Sequence, residues 1–500
     1  MKNGLFGVIN IGASAFRMQI SEFVNGEQRL IEYLIKSLPL GKDTFTKGYI
    51  TLETVKKSAD ILGGFQNKMS EYKVEKYVAV ATSGLRDAVN KDFFIDYIFK
   101  KTGIQLNVLD PYEELYIRFT ALMNEIENFS DVEKGGFLFA NVSSGNVAIV
   151  VSFQKSIIYS EALPFGSLRL NEIFRDVDER GKVIAFRNYV DNMLAEVKRI
   201  IGKVNIKFVY FTGSTVDIIR FFFKESSTEF NINDVRHLLE KIEGLSSEEI
   251  VENYGLRQSQ ADILKAVLVT YSKIMKITGK NKFYITPTTF PHKLLMYFSK
   301  SYRKKSYGKY IENSLLYYGK KFEFDKNHAL KVKENVRKIF NELKDIHNLP
   351  NSYLRLLEIA AITHDFGYFI NPSNHEYNSY QILKSLHLPG VFERDMEVVS
   401  LVVLLHREVE VDDYKEYFPP DVDIFLIKKL VAMFRVADSL DSGHKQKIAD
   451  FIVKKETDIV KVVARTVDYI FLERLSFEKK SKLFENVFGV KIELEEDPIK

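Results

Sequence analysis

None of the 500 residues is cysteine, so disulfides, zinc–thiolate sites and thiol nucleophiles are excluded together. Any metal site must be built from His, Asp or Glu. A membrane-length apolar run is also missing: the opening stretch "MKNGLFGVINIGASAF" is broken by Asn3, Gly4, Asn10 and Gly12, which fits neither a span nor a leader, and the chain reads as cytoplasmic with no membrane partner. Charge of one sign is not in excess either, and a net charge of +4 gives no reason to expect nucleic acid. The one cationic concentration, "SKSYRKKSYGKY" at 299–310, is either a solvated linker or a polyanion-binding strip. What is present, 46% apolar and 28% charged residues, is the balance of a globular protein of two to four domains. Many Lys and Glu with no Cys also point toward heat tolerance.

Along the chain, "LFGVINI" and "FRMQISEF" read as two strands joined by "GASA", a hairpin signal. A helix over about 51–72, a strand at 77–83, a helix over 90–102, a strand at 104–110 and an acidic, aromatic helix over 112–128 follow, an α/β alternation. The run "GGFLFANVSSGNVAIVVSFQKSIIYSEALPF" then repeats the strand, small-residue turn, strand design, continuing through a helix over 181–202, the strand-turn at 207–215 and a last strand at 282–286. From 312 to about 455 apolar residues recur at three-and-four spacing, as in "HALKVKENVRKIFNEL" and "LIKKLVAMFRVADSLD", predicting a helical domain. The tail reads strand, helix, strand. The expected division is 1–128 and 129–300 as related halves, 312–455 as the helical domain, and 456–500 as a small α/β tail.

A tight turn of small residues between strands is either an ordinary hairpin or a backbone cradle for phosphate, and neither turn decides alone. The strings "VINIGASAFRMQI", "LPLGKDTFTKGYIT", "VATSGLRDAVNKDFF", "LDPYEELYIRFTAL", "FLFANVSSGNVAIV", "LPFGSLRLNEIF" and "FTGST", in this order and spacing, resemble the exopolyphosphatase and guanosine pentaphosphate phosphohydrolase family over essentially the whole chain. The resemblance implies two related α/β halves like those of actin, hexokinase and Hsp70, and a cleft that hydrolyses terminal phosphates of polyphosphate or pppGpp with magnesium. It also implies a third, helical domain with a small tail, a phosphorylated small molecule or polyphosphate as ligand, and a homodimer. By position it assigns phosphate contacts to Ser14, Arg86, Ser144, Gly145, Asn146, Gly213 and Ser214, and water activation to Glu114.

The chain departs from that family where the metal should sit. Asn10 replaces the first-loop aspartate, and the second loop reads Asn141, Val142, Ser143, Ser144, Gly145, Asn146, Val147, Ala148 where the family has Asp-Ile-Gly-Gly-Gly-Ser-Thr-Glu. An amide does not replace a carboxylate as a hard-cation ligand, so magnesium binding and cleavage in this cleft are expected to be lost even if an anion still binds.

Five of the nine histidines, His237, His292, His347, His387 and His444, follow no pattern and read as surface or core side chains. The others fall on or beside helices with two aspartates: His328, His364–Asp365, His375, His406 and Asp438. Each alone is a core residue or a ligand; together, in such apolar surroundings, they would be costly without a cation. Their order resembles the metal signature of the HD phosphohydrolase superfamily. That resemblance implies one ion held by His328, His364, Asp365 and Asp438 and a second by Asp365, His375 and His406, with Asp365 catalytic. Imidazole with carboxylate suits Mn, Fe, Co, Ni or Zn. Tyr368 stands where many HD proteins carry lysine, leaving Arg407 or Arg435 to meet phosphate. The expected function is hydrolysis of a phosphate ester or anhydride, of nucleotide type, in the helical domain.

Overall fold

The computed structural model describes residues 4–24, 27–74, 76–223, 228–286, 288–298 and 307–498; residues 299–306 of the cationic strip lie outside them. The chain divides into two compact units, Met1–Gly308 with Leu388–Gly390, and Lys309–His387 with Val391–Lys500.

The first unit contains two sheets of matching design. In one, β1 (Gly4–Ile11), β2 (Ala15–Val24) and β3 (Glu27–Ser37) form an antiparallel meander, and β4 (Lys76–Ala81) and β5 (Leu106–Val108) extend it in parallel beyond β1, in the order β3-β2-β1-β4-β5. In the other, β6 (Gly136–Val142), β7 (Val147–Phe153) and β8 (Ser156–Leu163) form the meander, β9 (Ile206–Thr212) lies parallel to β6, and β10 (Glu229–Asn231) and β11 (Lys282–Ile285) complete the order β10-β11-β9-β6-β7-β8. Every residue of β6 is buried, as a strand covered on both faces requires.

The helices follow from local chemistry. Thr51 caps Leu52–Glu71, which buries Val55, Ala59, Leu62, Phe65 and Met69 on one stripe. Asp110 accepts from Tyr112 and Glu113 N–H and Pro111 fills the first position of Pro111–Glu125. Strand β3 and the Leu40–Lys47 helix were not anticipated, because "EQRLIEYLIKS" has no clean period of two.

In the second unit the helices that carry polar residues inward are Lys326–Glu342, Ser352–Thr363, His375–Lys384, Glu393–Leu404 and Ile424–Ser439. A three-stranded sheet follows: β12 (Ile448–Lys455) is antiparallel to β13 (Ile459–Thr466), and β14 (Lys491–Pro498) is parallel to it. The Phe471–Phe488 helix joins the last two strands. The 448–455 segment, expected to be helical, is therefore a strand, so the expected boundary at 455 falls within this sheet.

Candidate metal centre and phosphate cleft

Six polar side chains converge in the second unit from five helical segments. Asp325 caps the first of these helices, accepting from the Asn327 and His328 N–H groups at 3.0 and 3.1 Å, which fixes His328 in its first turn. His364 caps the end of Ser352–Thr363, and Asp365 precedes the short turn Phe366–Phe369. His375 opens His375–Lys384, His406 lies just past Glu393–Leu404, and Asp438 occupies the last turn of Ile424–Ser439. All six are between 1% and 7% exposed.

Gly367 permits one of these approaches. A Cβ there would lie 2.1 Å from the His375 carbonyl oxygen and 2.5 Å from Ser379 N, so only glycine allows the His375 helix to press against the turn. Ser379 Oγ accepts from Gly367 N–H at 2.8 Å and donates to the His364 carbonyl at 2.5 Å, tying the two histidine segments together.

The histidines form two pairs, His328 with His364 and His375 with His406, each with Nε2 atoms 3.1 Å apart. Asp365 spans them. Its Oδ2 lies 3.7 Å from His328 Nε2 and 3.4 Å from His364 Nε2, while its Oδ1 lies 3.5 Å from His375 Nε2. Asp438 Oδ1 closes the first pair at 3.5 and 3.7 Å.

The opposite ring nitrogens settle where the protons are. His364 Nδ1 meets the Ala361 carbonyl at 3.0 Å, His375 Nδ1 the Pro372 carbonyl at 3.0 Å, and His406 Nδ1 the Val403 carbonyl at 2.6 Å. His328 Nδ1 meets Asp441 Oδ2 at 3.0 Å. A carbonyl or carboxylate only accepts, so each Nδ1 carries a hydrogen, and a ring that is neutral then presents a lone pair at Nε2. Two such lone pairs at hydrogen-bond distance repel unless a metal ion or a proton lies between them. Ligand atoms about 2.1 Å from one ion stand about 3.0 Å apart in an octahedral shell and about 3.4 Å apart in a tetrahedral one, so the contacts of 3.1 to 3.7 Å fit a metal-ligand set.

Burial disfavours charge on His328, but Asp438 and Asp441 prevail and raise it to about 10. Burial holds His364 below its ordinary value and His406 well below it, despite nearby carboxylates. Asp438, which burial alone would raise, is held well below the usual carboxylate range, chiefly by Lys480 and His328.

Three participants escape the sequence pattern. Asp441 lies one turn beyond Asp438, a spacing that offered a signal. His444, read as an ordinary surface or core residue, is instead stacked on His328 with ring centroids 3.6 Å apart, and its Nδ1 lies 3.4 Å from Asp325 Oδ2. Lys480 reaches Asp438 from the Phe471–Phe488 helix, with no signal in sequence spacing. Conversely, Arg435 does not serve a phosphate: its guanidinium is buried against the Leu405 and Val409 carbonyls. Arg407 donates to the Ser373 carbonyl and lies 3.5 Å from Glu376. His347, in keeping with a core role, is satisfied by the Phe340 carbonyl and Leu349 N–H.

In the first unit the small-residue turns meet. Ser144 Oγ lies 3.1 Å from Ser14 Oγ and 3.3 Å from Ser214 Oγ. Gly145 packs so closely that a Cβ would lie 2.1 Å from Ser83 Oγ, and Gly213 adopts a φ of +117°. Asn146 is buried with its side-chain oxygen unbonded, as is Asn10. Arg86 is turned to the Leu109 carbonyl at 2.9 Å. Glu114, on the Pro111–Glu125 helix, is gripped by Arg118, whose Nε and Nη2 donate to one carboxylate oxygen at 3.1 and 2.9 Å. A small cavity of about 60 Å³ lies beside the turns, lined by Asn10, Arg17, Arg118, Gly213, Ser214 and Arg220 among others. Among the described residues, clusters of His, Asp and Glu able to hold an ion occur only in the second unit.

Two sheets of matching topology with small-residue turns brought together, followed by a helical region, define a two-halved α/β architecture with a helical extension. The chain belongs to the Ppx/GppA phosphatase family: the family model matches residues 19–296, and that of Ppx/GppA phosphatase domain III matches 312–478. A bifunctional 3-dehydroquinate synthase/phosphatase of Fusobacterium nucleatum is 23% identical over 303 residues, 56% of this chain but 44% of that relative, so the match spans less than half its length. A guanosine-5'-triphosphate,3'-diphosphate pyrophosphatase of Aeromonas hydrophila is 19% identical over 417 residues, 81% of either chain. An exopolyphosphatase structure from Cytophaga hutchinsonii shares the fold of the first unit at 22% identity, with a TM-score of 0.53 over 59% of this chain and 98% of that one.

Proposed function

We propose that this chain is a metal-dependent phosphohydrolase whose chemistry lies in the helical unit, in a centre of the HD type, and acts on a phosphate ester or anhydride of nucleotide type. The observation that carries the reading is the pair of facing Nε2 atoms, twice over, with one oxygen of Asp365 turned to each pair. His328, His364, Asp365 and Asp438 would hold one transition-metal ion, and Asp365, His375 and His406 a second. Such ions lower the pKa of water and brace phosphate oxygens.

The chain's own residues orient this chemistry. Nδ1 hydrogen bonds fix each ring, Asp365 lies between the two proposed ion positions, and the buried Phe434 ring packs against His364 and His406. The first unit then binds a phosphorylated ligand or serves as a scaffold without cleaving one, since Asn10 and Ala148 supply no carboxylate and Glu114 is engaged by Arg118.

The relatives named for guanosine pentaphosphate chemistry favour a second reading, hydrolysis of pppGpp or polyphosphate in the first unit through Glu114. A phosphate-release screen over nucleotides, (p)ppGpp and polyphosphate, with Mn²⁺ and with Mg²⁺, separates the two. The proposal expects Mn²⁺-stimulated release that Asp365→Ala abolishes and Glu114→Gln spares. The reverse pattern supports the second reading, and release under neither metal would leave a non-catalytic sensor.

A further inference from the structure

In a metal centre for phosphate hydrolysis a cation beside the ions adds to their hold on the non-bridging oxygens; of the two arginines expected for that task, Arg435 is buried against carbonyls, and Arg407, half-exposed, donates to the Ser373 carbonyl beside Glu376. Lys480 is placed differently. Its ammonium lies 2.5 Å from Asp438 Oδ2, while Oδ1 of the same carboxylate faces His328 and His364.

Among the described residues Lys480 donates to Asp438 alone, and an ammonium carries three N–H groups. Its side chain is 11% exposed, so the stem is buried and the head borders the centre. The Phe471–Phe488 helix that supplies it is outside the set of helices supplying the imidazoles and Asp438, which gives the tail a part in the site.

Resting on the reading of this unit as a metal-dependent phosphohydrolase, we propose that Lys480 receives the substrate phosphate and selects a terminal, dianionic phosphoryl group over a diester. Two dipositive ions outweigh Asp365 and Asp438, and the ammonium adds to that excess. A dianion matches it better than the single charge of a diester.

The test uses the full-length protein loaded with Mn²⁺, as wild type, Lys480→Met and Lys480→Arg. Inorganic phosphate affinity is measured by calorimetry, bound Mn²⁺ by elemental analysis, and KM with p-nitrophenyl phosphate and bis(p-nitrophenyl) phosphate. Lys480→Met is expected to keep wild-type Mn²⁺ but to weaken phosphate affinity and raise the monoester KM by about tenfold or more, with a smaller change for the diester and partial recovery in Lys480→Arg. If the Met variant fails to fold, Lys480→Gln, which still donates to Asp438, is read in its place.

Unchanged phosphate affinity with Mn²⁺ retained overturns the role of Lys480 and leaves the metal centre standing. Loss of Mn²⁺ in the substituted proteins makes Lys480 a counter-ion for Asp438 and also overturns it. A wild type that binds no Mn²⁺ removes both readings.

Discussion

At the scale of single residues, the decisive chemistry is which nitrogen of each imidazole carries hydrogen. Backbone carbonyls at 361, 372 and 403 fix three rings and Asp441 fixes the fourth. Removing one of these acceptors frees a ring without removing a ligand. Asp441→Ala is expected to weaken metal affinity about 10- to 100-fold while the protein stays folded, read by competition with a chelating dye. Unchanged affinity would mean that Asp441 merely satisfies a buried ring and Gln446.

Away from the centre, burial and then Asp110 raise Glu113 to about 7. A carboxyl whose folded pKa lies above its unfolded value contributes stability that is complete below the unfolded pKa, near 4.5, and lost as pH rises through the folded one. Glu113→Gln should therefore be the more stable protein above pH 7 by about 1 kcal/mol, discounting for partial exposure, and the advantage should vanish toward pH 4.5. Urea titrations at several pH values check this; a pH-independent difference would contradict it.

At the scale of elements, helix ends bring the candidate ligands together, and close packing holds them there. Gly367→Ala is expected to push the His375 helix from the Phe366–Phe369 turn and weaken Mn²⁺ binding at the second ion position before the first. Two-site titration calorimetry tests that order. In the first unit, Glu114 and Arg118 stand one turn apart on their helix and are both buried. Arg118→Leu strands a carboxylate and should cost about 3–5 kcal/mol, whereas adding Glu114→Leu should recover most of it; thermal melts of the single and double variants decide.

Long periodic helices and the two strand-turn-strand runs were legible because burial imposes their spacing. Strand β3 was not, because "EQRLIEYLIKS" lacks alternation, and β12 was not, because only a short turn segment, 440–447, separates it from the Ile424–Ser439 helix and it was absorbed into the helical pattern. His328 through Asp438 were legible because ligand residue types stood at helix ends in an apolar setting. Lys480 and His444 were not: one comes from a helix packed against the site only in the folded chain, and the other depends on a left-handed turn, φ +54°, that sequence periodicity does not reveal.

At the scale of the whole molecule, chemistry is divided unequally between the units. The first has its small-residue turns beside Asn10, Asn141 and Ala148, none of which offers a carboxylate, and ties one oxygen of Glu114 to Arg118. Turnover of long polyphosphate with Mg²⁺ should therefore fall well below an ordinary enzyme rate of about 1 s⁻¹, and Glu114→Gln should not change Mn²⁺-dependent phosphate release. The second unit concentrates buried histidines and aspartates that are costly unless a cation joins them.

Metal stoichiometry tests that central claim most directly. Equilibrium dialysis of the full-length protein against Mn²⁺, followed by elemental analysis, is expected to give two ions per chain in the wild type and at most one in Asp365→Ala. Wild-type protein that retains no Mn²⁺, or an Asp365→Ala protein that binds as many ions as the wild type, would contradict it.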